Sequence, residues 1–163
     1  MTAMVTVGAG AWISSVYSFT RPSDTTAYAA GDLVANSTTA GSVTPMSWVL
    51  PKSAPLYNLF GIRLKKSANS ATNAAFRLHF FTDLPTVANG DNGALAATQS
   101  SNYIGNLSVT LIAGNDGAAN VAMANPAMPF ITSSTRTIYG LIEATAAYTP
   151  ASAEVFSTQV YIA

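Results

Sequence analysis

The amino-acid sequence predicts an all-β fold: an antiparallel β-sandwich of the jelly-roll type with about eight strands. Two observations predict it. Runs rich in aromatic and β-branched residues alternate along the whole chain with clusters of Gly, Pro, Asn, Ser and Thr, which is the pattern of strands joined by turns. No stretch carries a helical period, and Ala, a good helix former, occurs in short groups beside turn-forming residues. Without crossover helices a sandwich is favoured over a parallel sheet.

The first strand is read over residues 12–20, with Ile13, Tyr17 and Phe19 on one face, Trp12, Val16 and Ser18 on the other, and Arg21-Pro22 ending it. A second covers 28–35 and bends at Gly31-Asp32. After a polar link over 36–44, a short strand over 47–50 stops at Pro51. Residues 57–65 set Phe60, Ile62 and Leu64 against Gly61, Arg63 and Lys65, one buried and one wet face. Residues 75–82 repeat the pattern with Phe76, Leu78 and Phe80 against Arg77 and His79, so these two strands are expected to pair as a hairpin. Asn89-Gly90-Asp91-Asn92-Gly93 tolerates positive φ throughout and reads as an exposed turn. Residues 106–113 form the next strand, with Leu107, Val109 and Leu111 inward, and a turn follows over 114–117. Pro126 and Pro129 mark an edge or loop, and strands over 137–144 and 154–162 close the chain around Tyr148-Thr149-Pro150.

A chain of 163 residues holds one domain with a sizeable core. Residues 12–163 are read as a single β-sandwich domain and residues 1–11 as a flexible N-terminal arm. Charged residues make up 9% against 49% hydrophobic, far under the roughly 25% charged content of ordinary domains. Much of the surface is therefore uncharged. Seven basic and seven acidic residues balance to zero, which speaks against nucleic acid as a partner. No run reaches the roughly 18 apolar residues that span a bilayer, so no membrane partner is expected, and the N-terminal stretch lacks the basic start of a secretory signal. A weakly charged, near-neutral surface suits an assembly.

The chemistry offers little for catalysis, and neither an enzyme nor a cofactor is expected. A Ser-His-Asp triad would have to use the single histidine, His79, which lies in mid-strand and reads as a surface or interface residue. Cysteine is absent and histidine unpaired, so a transition-metal site lacks ligands. Asp91 with Asn89 and Asn92 offers oxygens of the kind calcium takes, but an ordinary turn is the better reading. Glu143 and Glu154, the two glutamates, sit on the closing strands; they are read as solvent-facing positions in preference to a glycosidase pair facing across a hairpin. Gly8-Ala9-Gly10 precedes a strand and lacks the lysine of a phosphate loop. Arg63, Lys65, Lys66 and Arg77 are candidates for a basic patch on the outer face of the expected hairpin, against the plainer reading of a solvated strand face. Trp12, Trp48, Tyr17, Tyr28 and Tyr57 are read mainly as core, with a sugar-stacking platform as the rival.

Three segments carry a resemblance: 19–34, with Arg21-Pro22, Asp24, Tyr28 and Gly31-Asp32; Phe81-Thr82-Asp83-Leu84-Pro85, followed by Gly90-Asp91-Asn92-Gly93; and 147–156, with Tyr148-Thr149-Pro150 and Glu154-Val155-Phe156. Together they resemble small virion proteins of tailed bacteriophages, of the capsid decoration or cement type. The resemblance implies a subunit made in the bacterial cytoplasm that sits on the outer surface of a phage capsid, with the major capsid protein and copies of itself as partners. Tail or fibre components are the near alternative. Residues 28–34 are also similar to the Tyr-x-x-Gly-Asp-x-Val run of small chitin-binding modules, which keeps a carbohydrate-binding sandwich as a third reading. Candidate contacts are Val5, Val7 and Trp12 in and beside the arm, Arg21, Asp24, Tyr28 and Asp32 in the following segment, and Arg63, Lys65 and Arg77 on the strands.

Overall fold

A computed structural model of the chain describes residues 5–6, 11–50, 56–97, 102–132 and 135–163. Its strands are β1 (Val5–Thr6), β2 (Trp12–Ile13), β3 (Tyr17–Thr20), β4 (Leu33–Val34), β5 (Met46–Val49), β6 (Tyr57–Lys66), β7 (Ala75–Phe81), β8 (Tyr103–Thr110), β9 (Ile112–Gly114), β10 (Gly117–Phe130), β11 (Thr137–Ala144) and β12 (Val155–Ile162). A one-turn 3-10 helix, Ala40–Ser42, interrupts the link to β5. Four of these strands, β1, β2, β4 and β9, are only two or three residues long.

The other eight pair in a regular way. β3 pairs with β12, β5 with β11, β6 with β10 and β7 with β8, all antiparallel. These are the rungs of one long hairpin doubled back on itself. Successive rungs fall alternately into two sheets. One is seven-stranded, in the order β1-β2-β12-β6-β10-β9 with β3 also on β12; the other is five-stranded, β4-β11-β7-β8 with β5 also on β11. A doubled hairpin rolled into two facing sheets is the jelly-roll winding, so the expected fold class holds and the expected strand number describes the principal strands.

Between the sheets lies the main core. Phe76, Leu78, Phe80, Ile138 and Ile142 face Leu59, Ile62, Leu64, Phe156 and Val160, all at or below 1% exposure. Period-two alternation places these side chains inward, as expected for Phe76, Leu78 and Phe80, and Leu107, Val109 and Leu111 are buried as expected, although the strand read over 106–113 divides at Leu111 between β8 and β9 on different sheets. A second, smaller cluster sits on the far side of the five-stranded sheet. There the loop over 82–97 packs Val87, Leu95 and Ala97 onto Leu33, Phe81 and Leu141.

Several expectations are corrected. β6 and β7 do not form a hairpin; they lie in opposite sheets, and residues 67–74 carry the chain across the sandwich. β11 and β12 are separated in the same way, so Glu143 and Glu154 do not face each other. Alternation names a strand's buried face but not its neighbour, and any amphipathic strand of suitable length satisfies either pairing. The strand read over 12–20 breaks at 14–16, where Ser14 bonds to the backbone of Val160 through both its N–H and its Oγ. The break resets the alternation, so Trp12, Tyr17 and Phe19 pack against the core and Ile13 turns outward beside Phe60 and Tyr161. Of residues 28–35 only Leu33–Val34 is strand. In β6 the register against both neighbours slips between Leu59 and Gly61, a bulge that turns Phe60 out of the inner row in which the sequence places it. Pro126 and Pro129 belong to β10, whose pairing with β6 is irregular between Met123 and Met128 where the first of them falls. A strand tolerates proline at such an irregularity. Outside these corrections, Val5–Thr6 pairs with Trp12–Ile13, and the rest of residues 1–10, Val7 included, lies outside the described residues.

Candidate functional site

Three places concentrate the polar and exposed apolar side chains: one end of the sandwich, the outer face of the five-stranded sheet, and the outer face of the seven-stranded sheet.

At the end of the sandwich the loops 21–35, 89–93 and 147–154 meet. The Arg21 side chain is fully enclosed and bonds the Asp91 carboxylate (Nη2 to Oδ2, 2.9 Å), the Tyr28 hydroxyl (Nε, 2.8 Å) and both the carbonyl and carboxylate of Asp24 (2.7 and 3.1 Å). Asp91 accepts as well from the Tyr28 hydroxyl at 2.6 Å and from the Ala35 N–H at 2.7 Å. Gly90 lets this loop approach: a Cβ there would lie 1.9 Å from the Thr38 carbonyl oxygen. Beside it stands a second buried pair, Lys66 Nζ to Glu154 Oε1 at 2.9 Å, with the Tyr148 hydroxyl donating to Glu154 Oε2. The Tyr28 and Tyr148 rings stack at 6.2 Å and 7° and join the two pairs.

Buried charges persist only when paired and hydrogen-bonded, and these are. Burial pushes the Asp91 carboxyl above its ordinary range, while the Ala35 N–H, Tyr28 and Arg21 pull it back. Burial opposes the Arg21 charge, but Tyr28 and Asp91 outweigh it and hold the guanidinium pKa above its usual value. Both phenols are raised well above the usual tyrosine value, first by burial and then by the neighbouring carboxylates. The Thr26 N–H and Arg21 hold Asp24 below its ordinary value.

This end corrects much of the expected site. Arg21 and Tyr28, expected at a partner contact, are 2% and 1% exposed and have no surface to offer. Asp24 and Asp32 stay partly exposed, but Asp24 caps Arg21 and Asp32 accepts from the Ala29 N–H. The 89–93 turn folds inward and both Asp91 oxygens are occupied, which leaves calcium no free carboxylate there. With Tyr28, Leu33 and Val34 buried, the run similar to chitin-binding modules exposes no stacking platform. Glu154 and Lys66 are buried instead of solvated. Of the three segments that carry the phage resemblance, 19–34, 147–156 and the Gly90–Gly93 part of the second meet at this end, while Phe81–Pro85 starts at the opposite end, beside Tyr103 and Tyr139.

On the outer face of the five-stranded sheet, His79 is 6% exposed, contrary to a surface position. It links Tyr103 (Nδ1 to the hydroxyl, 3.0 Å) to Glu143 (Nε2 to Oε2, 2.8 Å), and Arg77 reaches the same oxygen at 3.3 Å. Arg77 thus lies on the other sheet from Arg63 and Lys65, and the four-residue basic patch does not form.

The outer face of the seven-stranded sheet is open, and its registered pairs give its rows. Ile13, Tyr161, Gly61 and Met123 stand side by side on β2, β12, β6 and β10. Gln159, Arg63 and Val121 form the next row, and Ser18, Ser157, Lys65, Ala119 and Ile112 the third. A Cβ on Gly61 would lie 2.6 Å from Met123 Sδ and 2.9 Å from Tyr161, so the two side chains close over it. Phe60, turned out by the bulge, packs on Tyr161 at 6.1 Å. Val16, Val121, Met123 and Ile112 are 56%, 45%, 56% and 65% exposed. Lys65 pairs with Asp116 at 2.7 Å, and Arg63 stands exposed in the middle. Trp12 is half-buried, edge-on to Tyr57 at 6.5 Å, and lines one hollow with Ile13, Phe60 and Tyr161. Of the candidate contacts, Arg63 and Lys65 therefore present their side chains on this face, and Trp12 borders it. Sequence reasoning missed Phe60, Tyr161 and Met123, because only the bulge and the pairing of β10 bring them together.

Compared with family models, the chain matches none, and no curated protein matches it.

Proposed function

We propose that the chain is a structural subunit of a virion, of the decoration or cement type, which attaches to the outer surface of a phage capsid and bridges capsid subunits. The observation that carries the reading is the unequal treatment of the two outer faces. The chain covers much of one with its own loop, leaving Val49 exposed on β5, while the other keeps several exposed Val, Met and Ile side chains beside aromatic ones. An open apolar sheet face is a feature of surfaces that meet another protein. The resemblance of segments 19–34, 81–93 and 147–156 supplies the virion context, and the jelly-roll winding is one that capsid proteins share with other classes. Repeated contacts across a symmetric shell multiply a modest individual affinity.

Electron microscopy of virions from the phage that encodes the chain, labelled with an antibody raised against it, tests the reading. Label on the outside of the heads is the expected result. Label confined to tails, or intact particles without label, overturns it.

A further inference from the structure

We infer that the open face of the seven-stranded sheet docks a protein surface that sets a carboxylate against Arg63 and apolar side chains against Phe60, Tyr161 and Met123. The inference rests on the reading of this face as the assembly surface and adds the chemistry of its occupant.

The kind of side chain on the face selects a protein over a glycan. Sugar rings stack on aromatic faces, whereas the exposed groups here include Val16, Val121 and Met123 next to the aromatic pair. Valine and methionine gain most against other apolar side chains, and methionine adapts to irregular protein surfaces.

Charge selects the partner further. Lys65 pairs with Asp116, which also feels the Arg63 charge from farther off, but Arg63 has Gln159 on one side and Val121 on the other and forms no direct ion pair among the described residues. A guanidinium offers a planar fork of donors suited to a carboxylate, and arginine beside aromatic side chains is the usual composition of an interface anchor. Two copies meeting face to face about a two-fold axis would bring this cation toward its own image. The carboxylate at the rim, Asp116, is already held by Lys65. Like charge therefore disfavours self-docking through this face and favours an acidic position on a different protein.

The test uses shells assembled from the major capsid protein encoded in the same genome, cosedimented with the full chain and three variants. Arg63→Glu and Tyr161→Ser change the open face; Ser108→Glu changes an exposed position of the five-stranded sheet. Thermal unfolding checks that each variant is folded. Arg63→Glu is expected to weaken binding about 30-fold, Tyr161→Ser about 10-fold, and Ser108→Glu not at all. Undiminished binding by both open-face variants, or equal loss with Ser108→Glu, overturns the inference and leaves the proposed function standing. A wild-type chain that fails to bind overturns both. Self-association of the chain that Arg63→Glu abolishes makes the occupant a second copy and overturns the inference alone.

Discussion

The two sheets share one core but cover their outer faces unequally: Val49 is the exposed apolar side chain on β5 of one, while the other carries several. On the five-stranded sheet, Leu33, Phe81 and Leu141 are sealed under the loop over 82–97, and the polar groups among them bond to one another through His79, Tyr103, Glu143 and Arg77. On the seven-stranded sheet, side chains of similar size at Val16, Val121 and Met123 stand half in solvent. The difference comes from where the long loop is anchored. Both ends of the loop belong to the five-stranded sheet, on β7 and β8, and Asp91 within it is fixed by Arg21, Tyr28 and Ala35, a buried ion pair that holds the loop down. A charge inside the fold thus pins the loop that covers one of the two faces.

The sharpest way to break the contrast is to release the loop. Asp91→Ala leaves the Arg21 guanidinium enclosed without its main partner, and breaking a buried pair from one side costs about 3–5 kcal/mol. Denaturant unfolding should show that loss, and hydrogen exchange should show the 82–97 loop opening ahead of the strands. Phe81→Ala attacks the same seal from beneath. It removes a ring with 0% exposure, with an expected loss of about 3–5 kcal/mol by chemical denaturation.

Alkaline pH probes the stacked tyrosines that join the two ion pairs. Tyr28 and Tyr148 hold their protons in the folded chain above pH 10, where unfolded tyrosine releases its own. The folded state then binds more protons than the unfolded one, so stability is complete below pH 10 and falls as pH rises toward the folded pKa. At pH 11 each phenol accounts for about 1.4 kcal/mol of loss, near 3 kcal/mol together. Unfolding midpoints at pH 9 and pH 11, with phenolate absorbance as the monitor, check it.

The open face should respond least. Val121→Ser and Met123→Ser remove side chains already 45% and 56% exposed, and stability should change by about 0.5 kcal/mol or less. A loss as large as that of Phe81→Ala would mean that the face is sealed within the monomer, and the contrast would fail.

Much of the fold was legible. Alternation in 75–82 and 106–113 marks inner rows that the structure keeps, because a half-buried strand can satisfy its burial only with period two. Phe60 escaped because a single extra residue reverses the direction of a side chain, and nothing local in Tyr57–Lys66 announces the bulge. Arg21, Lys66, Asp91 and Glu154 escaped for a different reason. A charged residue reads as surface until its counter-ion is known, and here the partners lie 70 and 88 positions away.

By itself, then, the sequence determined that this chain builds strands, which side chains of residues 75–82 and 106–113 face inward, and that its surface carries few charges. All of these follow from the character and spacing of near neighbours. The pairing of the strands, the burial of two ion pairs and the bareness of one sheet were decided only in the tertiary structure. Those features depend on contacts between residues far apart in the chain, and many pairings satisfy the same local pattern until the whole sandwich closes.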